Sequence, residues 1–172
     1  MPILTTARLV LRPFAPGDVD DLHTMDGDDR VMRTIGSGLA GRTRDACAQA
    51  LERIIAFAAA NPGHGLLHAS RRDDGTFVGG CGLYPLPGTT DTEVAYRLPF
   101  ACWGQGYATE MAAAALAHGF GAMGLARVVG VTHLENVASQ RVLTKIGMRA
   151  EGIAVHYERE MRVFAAYRES RR

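Results

Sequence analysis

Polar and apolar residues alternate along Arg8-Leu9-Val10-Leu11-Arg12, which predicts a half-buried strand. Two prolines and a glycine follow within 13–18, and a short helix is expected over 19–25 with Asp18 at its N-cap. Gly36-Ser37-Gly38 and Gly41 mark a flexible stretch. From 43 to 60 the apolar positions return at helical spacing, with Leu51, Ile54, Ile55 and Ala58 on one face, until Asn61-Pro62-Gly63 stops the helix. Segments 66–71 and 76–83 read as an antiparallel hairpin turning at Asp74-Gly75, and 85–91 as a loop. A strand is expected over 93–98, an alanine-rich helix over 104–121 and a β-branched strand over 127–132. A helix over 136–146 ends at Gly147, and 148–155 and 161–167 read as two final strands. The order β-α-α-β-β-β-α-β-α-β-β predicts the α/β class, a mixed sheet, and parallel pairing within 93–146.

Composition fits this picture and removes several alternatives. With 172 residues, the chain is expected to form a single domain, 1–172, large enough to bury roughly 70% of its unfolded surface. Hydrophobic residues make up 47% and charged residues 22%, which excludes disorder and collagen. No apolar run approaches ~18 residues, so no membrane span is expected, and the first residues do not read as a secretory signal. A net charge of +1 argues against a nucleic-acid footprint. Charge is nevertheless uneven: residues 1–30 carry six Asp against three Arg, and residues 141–172 carry eight basic side chains against four Glu. This is either two solvated faces or a basic region near an anionic ligand. Cys47, Cys81 and Cys102 are too few and too dispersed for a disulfide framework or a zinc site, and read as reduced thiols of a cytoplasmic protein.

The segment richest in chemistry is Leu98-Pro99-Phe100-Ala101-Cys102-Trp103-Gly104-Gln105-Gly106-Tyr107-Ala108-Thr109-Glu110. A strand runs into a glycine-containing turn that opens a helix. The first helical turn has N–H groups without intrahelical partners and a dipole that favours anions. Gly104 and Gly106 remove side chains that would block a phosphate, and Ala108 keeps the next position small. The same pattern also serves as a plain tight turn. It lacks the Gly-Lys-Ser/Thr of a Walker loop and the third glycine of a dinucleotide fingerprint. A second helix start follows the 127–132 strand. There Asn136 and Ser139 are placed either to cap the helix or to bond a ligand lying between the two helix starts.

Together these elements resemble the GNAT (GCN5-related) N-acetyltransferase superfamily, and within it the RimJ/RimL-like branch. The similarity rests on Thr6-Ala7-Arg8-Leu9-Val10-Leu11-Arg12-Pro13, on Trp103-Gly104-Gln105-Gly106-Tyr107-Ala108-Thr109-Glu110, and on Asn136, Ser139, Val142, Leu143, Lys145 and Gly147 at their spacing. It spans nearly the whole chain. The resemblance implies a central twisted mixed sheet of about seven strands flanked by about four helices. It also implies acetyl-CoA as co-substrate, without a metal. The superfamily motif Arg/Gln-x-x-Gly-x-Gly/Ala falls on Trp103, Gly106 and Ala108, so Trp103 departs from it, as is usual in this branch. A tyrosine that often follows four residues after the small residue of the second helix is Leu143 here, so its role passes elsewhere.

The resemblance further implies direct acetyl transfer to a primary amine, either a protein or peptide N-terminus or a small molecule. A non-catalytic acyl-CoA sensor is a third reading. Glu93 is the candidate base, directly or through a water, and Ser139 or water returns a proton to the thiolate. Backbone N–H groups near Leu98 stabilise the oxyanion if the strand splays there. The cofactor side takes Leu98, Trp103, Gly104, Gln105, Gly106, Tyr107, Ala108 and Thr109, with Asn136 orienting the pantetheine arm. The acceptor is expected between 33–44 and 156–160. Asp26, Asp28 and Asp29 are there either to attract a cationic amine or as a solvated loop. Arg97 and Arg141 read as phosphate contacts or as surface arginines. Cys102, without a His–Asp partner, reads as a buried thiol. Nucleic acid and membrane are not expected partners, and the chain is expected as a monomer or homodimer.

Overall fold

In the computed structural model, residues 3–33, 35 and 40–168 are described. Alternation along β2 (Leu9–Pro13) buries Leu9 and Leu11 completely on one face, each worth roughly 1.5–3 kcal/mol relative to exposure. This strand pairs antiparallel with β1 (Leu4–Thr5) and β3 (Gly65–Arg71). β3 continues antiparallel to β4 (Phe77–Pro85), and β4 to β5 (Thr92–Arg97). β5 meets β6 (Arg127–His133) in parallel, and β6 pairs antiparallel with β8 (Arg159–Tyr167), which carries β7 (Arg149–His156) on its outer side. The result is one eight-stranded mixed sheet in the order β1-β2-β3-β4-β5-β6-β8-β7.

Helices α1 (Val19–Asp26), α2 (Asp29–Met32), α3 (Arg44–Ala60), α4 (Tyr107–Gly121) and α5 (Val137–Lys145) cover it. The sequence predicts seven strands and four helices; the additions are β1 and α2. Two and four residues are too short for a periodic signal. The parallel pairing expected within 93–146 is the β5–β6 contact.

Two apolar clusters fill the layers. On one side Met111, Ala112, Ala115 and Leu116 of α4 pack with Leu83, Val94, Val128 and Leu143. Of the alanines at 112–115, Ala112 and Ala115 are buried while Ala113 faces water. On the other side Leu22 and Met25 of α1 and Cys47, Ala50 and Leu51 of α3 pack with Phe14 and Leu66, and Ile54 and Ile55 are half-buried against them. No helix among the described residues is long and apolar enough to cross a membrane.

One expectation near α1 changes. Asp18 occupies the N-cap position, but its carboxylate makes no bond to that helix. It accepts from both terminal nitrogens of Arg12, at 2.7 and 2.8 Å, and from the Ala15 N–H at 2.7 Å. A basic partner on the adjacent strand outcompetes the helix N–H groups. The expected 36–38 flexible stretch lies outside the described residues.

Candidate active site

The central feature is where β5 and β6 part. Their ladder consists of a single register pair, Glu93 with Val129. β5 stays hydrogen-bonded to β4 through Arg97, and β6 to β8 through His133, so the two strands diverge while each keeps its other neighbour. The opening is a cavity of about 300 Å³. Tyr84, Glu93, Val131 and Tyr157 line it from one side, and Tyr96, Thr132, Asn136, Ser139 and Leu143 from the other. Strand alternation explains this: Glu93 and Tyr96 project to opposite faces of β5, so the slot is reached through both faces of the sheet.

Glu93 is 7% exposed. It accepts a hydrogen bond from the Tyr157 hydroxyl at Oε1. Around this pair, Leu86, Val129 and Ala165 form a small apolar cluster with Val131. Loss of water pushes the Glu93 carboxyl up to about 7, and the tyrosine hydrogen bond restrains that rise. Burial and the neighbouring carboxylate push the Tyr157 hydroxyl in the same direction, so it remains a donor. Tyr157 and Glu158 form the two-residue turn between β7 and β8, both with positive φ, 52° and 62°. Such backbone costs about 1–2 kcal/mol per non-glycine residue.

On the opposite face, Asn136 caps α5. Its Oδ1 accepts from the Ser139 N–H at 3.1 Å, leaving the amide NH₂ free of that bond. The Ser139 Oγ lies 2.9 Å from the Tyr96 hydroxyl, which is also 3.2 Å from the Ser139 carbonyl oxygen. Desolvation raises the Tyr96 hydroxyl above its ordinary value and keeps it protonated. Thr132 Oγ1 is buried with no hydrogen-bond partner among the described residues. An orphaned hydroxyl in a ligand-sized slot fits a polar arm that is bound during work.

The glycine turn is also built. A 3₁₀ turn at Phe100–Cys102 precedes it, and α4 begins at Tyr107, three residues later than the pattern predicts. Gly104 and Gly106 both have positive φ, 76° and 82°, and Gly106 is the N-cap, without a side-chain cap. A Cβ on Gly104 would meet nothing within 4 Å, so the turn faces open space. The first-turn N–H groups of α4 are therefore available to an anion. Trp103 Nε1 donates to the Leu98 carbonyl at 2.9 Å, and Gln105 Nε2 to the Ala101 carbonyl at 2.8 Å, so both side chains brace the turn. Tyr107 is buried in the core with the Arg8 guanidinium 4.6 Å from its ring centre, leaving its N–H as its offering to a ligand. Glu110 accepts from Thr6 Oγ1, the Arg8 N–H and Arg8 Nε at 2.6–2.8 Å, tying the first turn of α4 to the β1–β2 turn.

The acidic group near α1 is otherwise committed. Asp26 is fully buried and accepts from Arg97 at 2.7 and 3.1 Å and from Arg42 at 3.0 Å. Asp28 pairs with Arg30, and Asp29 accepts from the Gly41 N–H. Asp26 is thus committed inside the protein, whereas Asp28 and Asp29 keep their partners at the surface, as a solvated loop would. Arg97 lines the slot through this pair, while Arg141 is exposed. Cys102 is half-buried, and desolvation raises its thiol, the opposite of an activated nucleophile.

The structure thus brings Glu93, Asn136 and Ser139 to one slot and holds residues 104–109 at the start of α4. Sequence reasoning missed Tyr96, Thr132 and Tyr157. Tyr96 had a signal, a polar ring on the face of β5 opposite Glu93. Tyr157 falls in the 156–160 segment expected beside the acceptor, but its bond to Glu93, 64 positions away, had no local signal.

The profile of the acetyltransferase (GNAT) domain matches residues 8–149. The chain belongs to this family. It is 31% identical over 159 residues to the uncharacterized N-acetyltransferase YoaA of Bacillus subtilis, covering 91% of this chain and 88% of that one. It is 34% identical over 155 residues to the FsC-acetyl coenzyme A-N(2)-transacetylase of Aspergillus fumigatus, covering 86% of this chain and 65% of that longer protein. Among solved structures, a GNAT-family acetyltransferase from Bacillus anthracis superposes with a TM-score of 0.83 at 26% identity. That match covers 98% of this chain and all of that one. The protein is a GNAT acetyltransferase, of a family that uses acetyl-CoA.

Proposed function

We propose that this acetyltransferase moves the acetyl group directly from acetyl-CoA to a protein or peptide N-terminal α-amino group. The observation carrying the reading is the slot between β5 and β6, with a buried carboxylate on one face and a paired hydroxyl on the other. In this reading the pyrophosphate rests on the N–H groups of residues 104–109. Leu98 and Trp103 shape the approach, and the free amide of Asn136 holds the pantetheine arm. Glu93 accepts the proton as the amine nitrogen bonds the acetyl carbon. The C–S bond breaks with its electron pair on sulfur. When Tyr96 donates to Ser139 Oγ, the serine proton is free to face that sulfur.

The acidity of the acceptor supports an N-terminus. An α-amino group titrates at ~7.7–8.0, close to Glu93 at about 7, whereas an alkylammonium such as lysine titrates at ~10.4. A second reading, acetylation of a small-molecule amine, is favoured by the similarity to the fungal N(2)-transacetylase. Labelled acetyl-CoA offered with N-terminal peptides, polyamines, amino acids and aminoglycosides separates the two. We expect labelled peptide α-amines, and Glu93→Gln slower by roughly 10²-fold or more with the loss of the acidic limb of the pH–rate profile. Label only on small amines selects the second reading. Binding without transfer to any amine overturns both.

A further inference from the structure

The β7–β8 turn takes a conformation that favours Asn-Gly, yet Tyr157 and Glu158 fill it, both at positive φ. Unfavourable backbone of this kind concentrates at working sites. Here it delivers one ring: Tyr157 packs beside the Leu86, Val129 and Ala165 cluster and reaches Glu93 Oε1. The other carboxylate oxygen, Oε2, has no hydrogen-bond partner among the described residues. The groups facing Glu93 are few. Tyr84 stands opposite on β4, and Tyr157 comes from the turn. Val129 is its partner on β6, and Arg97, further along β5, is engaged by Asp26. On β5 itself, Thr92 is bonded to His64.

We infer that Tyr157 is a positioning residue for acetyl transfer: its hydroxyl fixes the Glu93 carboxylate in the slot, with Oε1 engaged and Oε2 left for the incoming amine. The inference rests on the reading of Glu93 as proton acceptor. No bond to substrate is assigned to Tyr157. Its work is to hold one rotamer and to stabilise the ionised form in an apolar setting. Removing the donor therefore makes the carboxyl keep its proton to higher pH.

The test needs a readout that a merely structural ring would not move. In protein carrying ¹³C at the glutamate carboxyls, the Glu93 signal is assigned by its loss in Glu93→Gln and titrated. Tyr157→Phe keeps the ring and is expected to raise the midpoint by about one pH unit. 3-Fluorotyrosine at position 157, a stronger donor, is expected to lower it. The acidic limb of kcat/KM for a labelled peptide acceptor should move with the midpoint. An unmoved midpoint in Tyr157→Phe, with Glu93→Gln inactive, overturns this inference alone. A wild-type rate in Glu93→Gln overturns the reading of Glu93 and the inference with it.

Discussion

Glu93 is a carboxylate largely withdrawn from water, and that choice has a cost the folded protein carries at neutral pH. Its folded value of about 7 lies above the ordinary 4.5, so the native state holds the proton more tightly than the unfolded chain. The sign follows from linkage. Below about pH 4.5 the group is protonated in both states and contributes no penalty. As pH rises from there through about 7, native stability falls, because the unfolded chain ionises first. At about 1.4 kcal/mol per pH unit, the full penalty is roughly 3 kcal/mol. Glu93→Gln should therefore be more stable than the parent at pH 8 by up to that amount and equal to it near pH 4. Denaturant melts at both pH values check this, and equal stability at pH 8 would contradict the assignment of burial as the cause.

The elements matter through their ends. Helix α4 offers its N-terminus because Gly106, at φ 82°, turns the chain into it without a side-chain cap occupying the first N–H groups. A β-branched residue there meets two penalties, since a left-handed conformation is unfavourable for it and its side chain projects toward the Arg8 guanidinium, 3.4 Å from a Cβ. Gly106→Val should weaken coenzyme A binding at least tenfold by calorimetry while the far-ultraviolet circular dichroism stays near that of the parent. Unchanged affinity would place the pyrophosphate elsewhere. The position of this glycine pair was legible in the sequence because glycine before a helix start has few uses. The 3₁₀ turn at Phe100–Cys102 was not, since three residues give no period.

At the scale of the molecule, Asp26 joins parts distant in sequence. Its carboxylate is wholly buried between Arg97 on β5 and Arg42 before α3, and so ties the end of α1 to the rim of the slot. Asp26→Ala would leave two arginines beside a site that lost its anion. Breaking a buried pair from one side costs about 3–5 kcal/mol. For a chain of this size that corresponds to a thermal midpoint lower by roughly 10 °C, measurable by calorimetry. A change within 2 °C would mean that the arginines find water instead.

The alternation of Leu9 and Leu11, the hairpin at Asp74-Gly75, the two helix starts and the resemblance they carry were all determined by local order along the chain. Each depends on residues within a few positions of one another, where period and turn chemistry act directly. Glu93 and Ser139 could be named from sequence, but not their surroundings. Only the tertiary structure decided that β5 leaves β6 after one register pair. Only it set Tyr96 against Ser139 across 43 positions and brought Tyr157 to Glu93 across 64. It also buried Asp26 against Arg97 of β5, 71 positions away. Those outcomes depend on which strands become neighbours, and strand order comes from burying two faces of one sheet at once, a condition no local window of sequence contains.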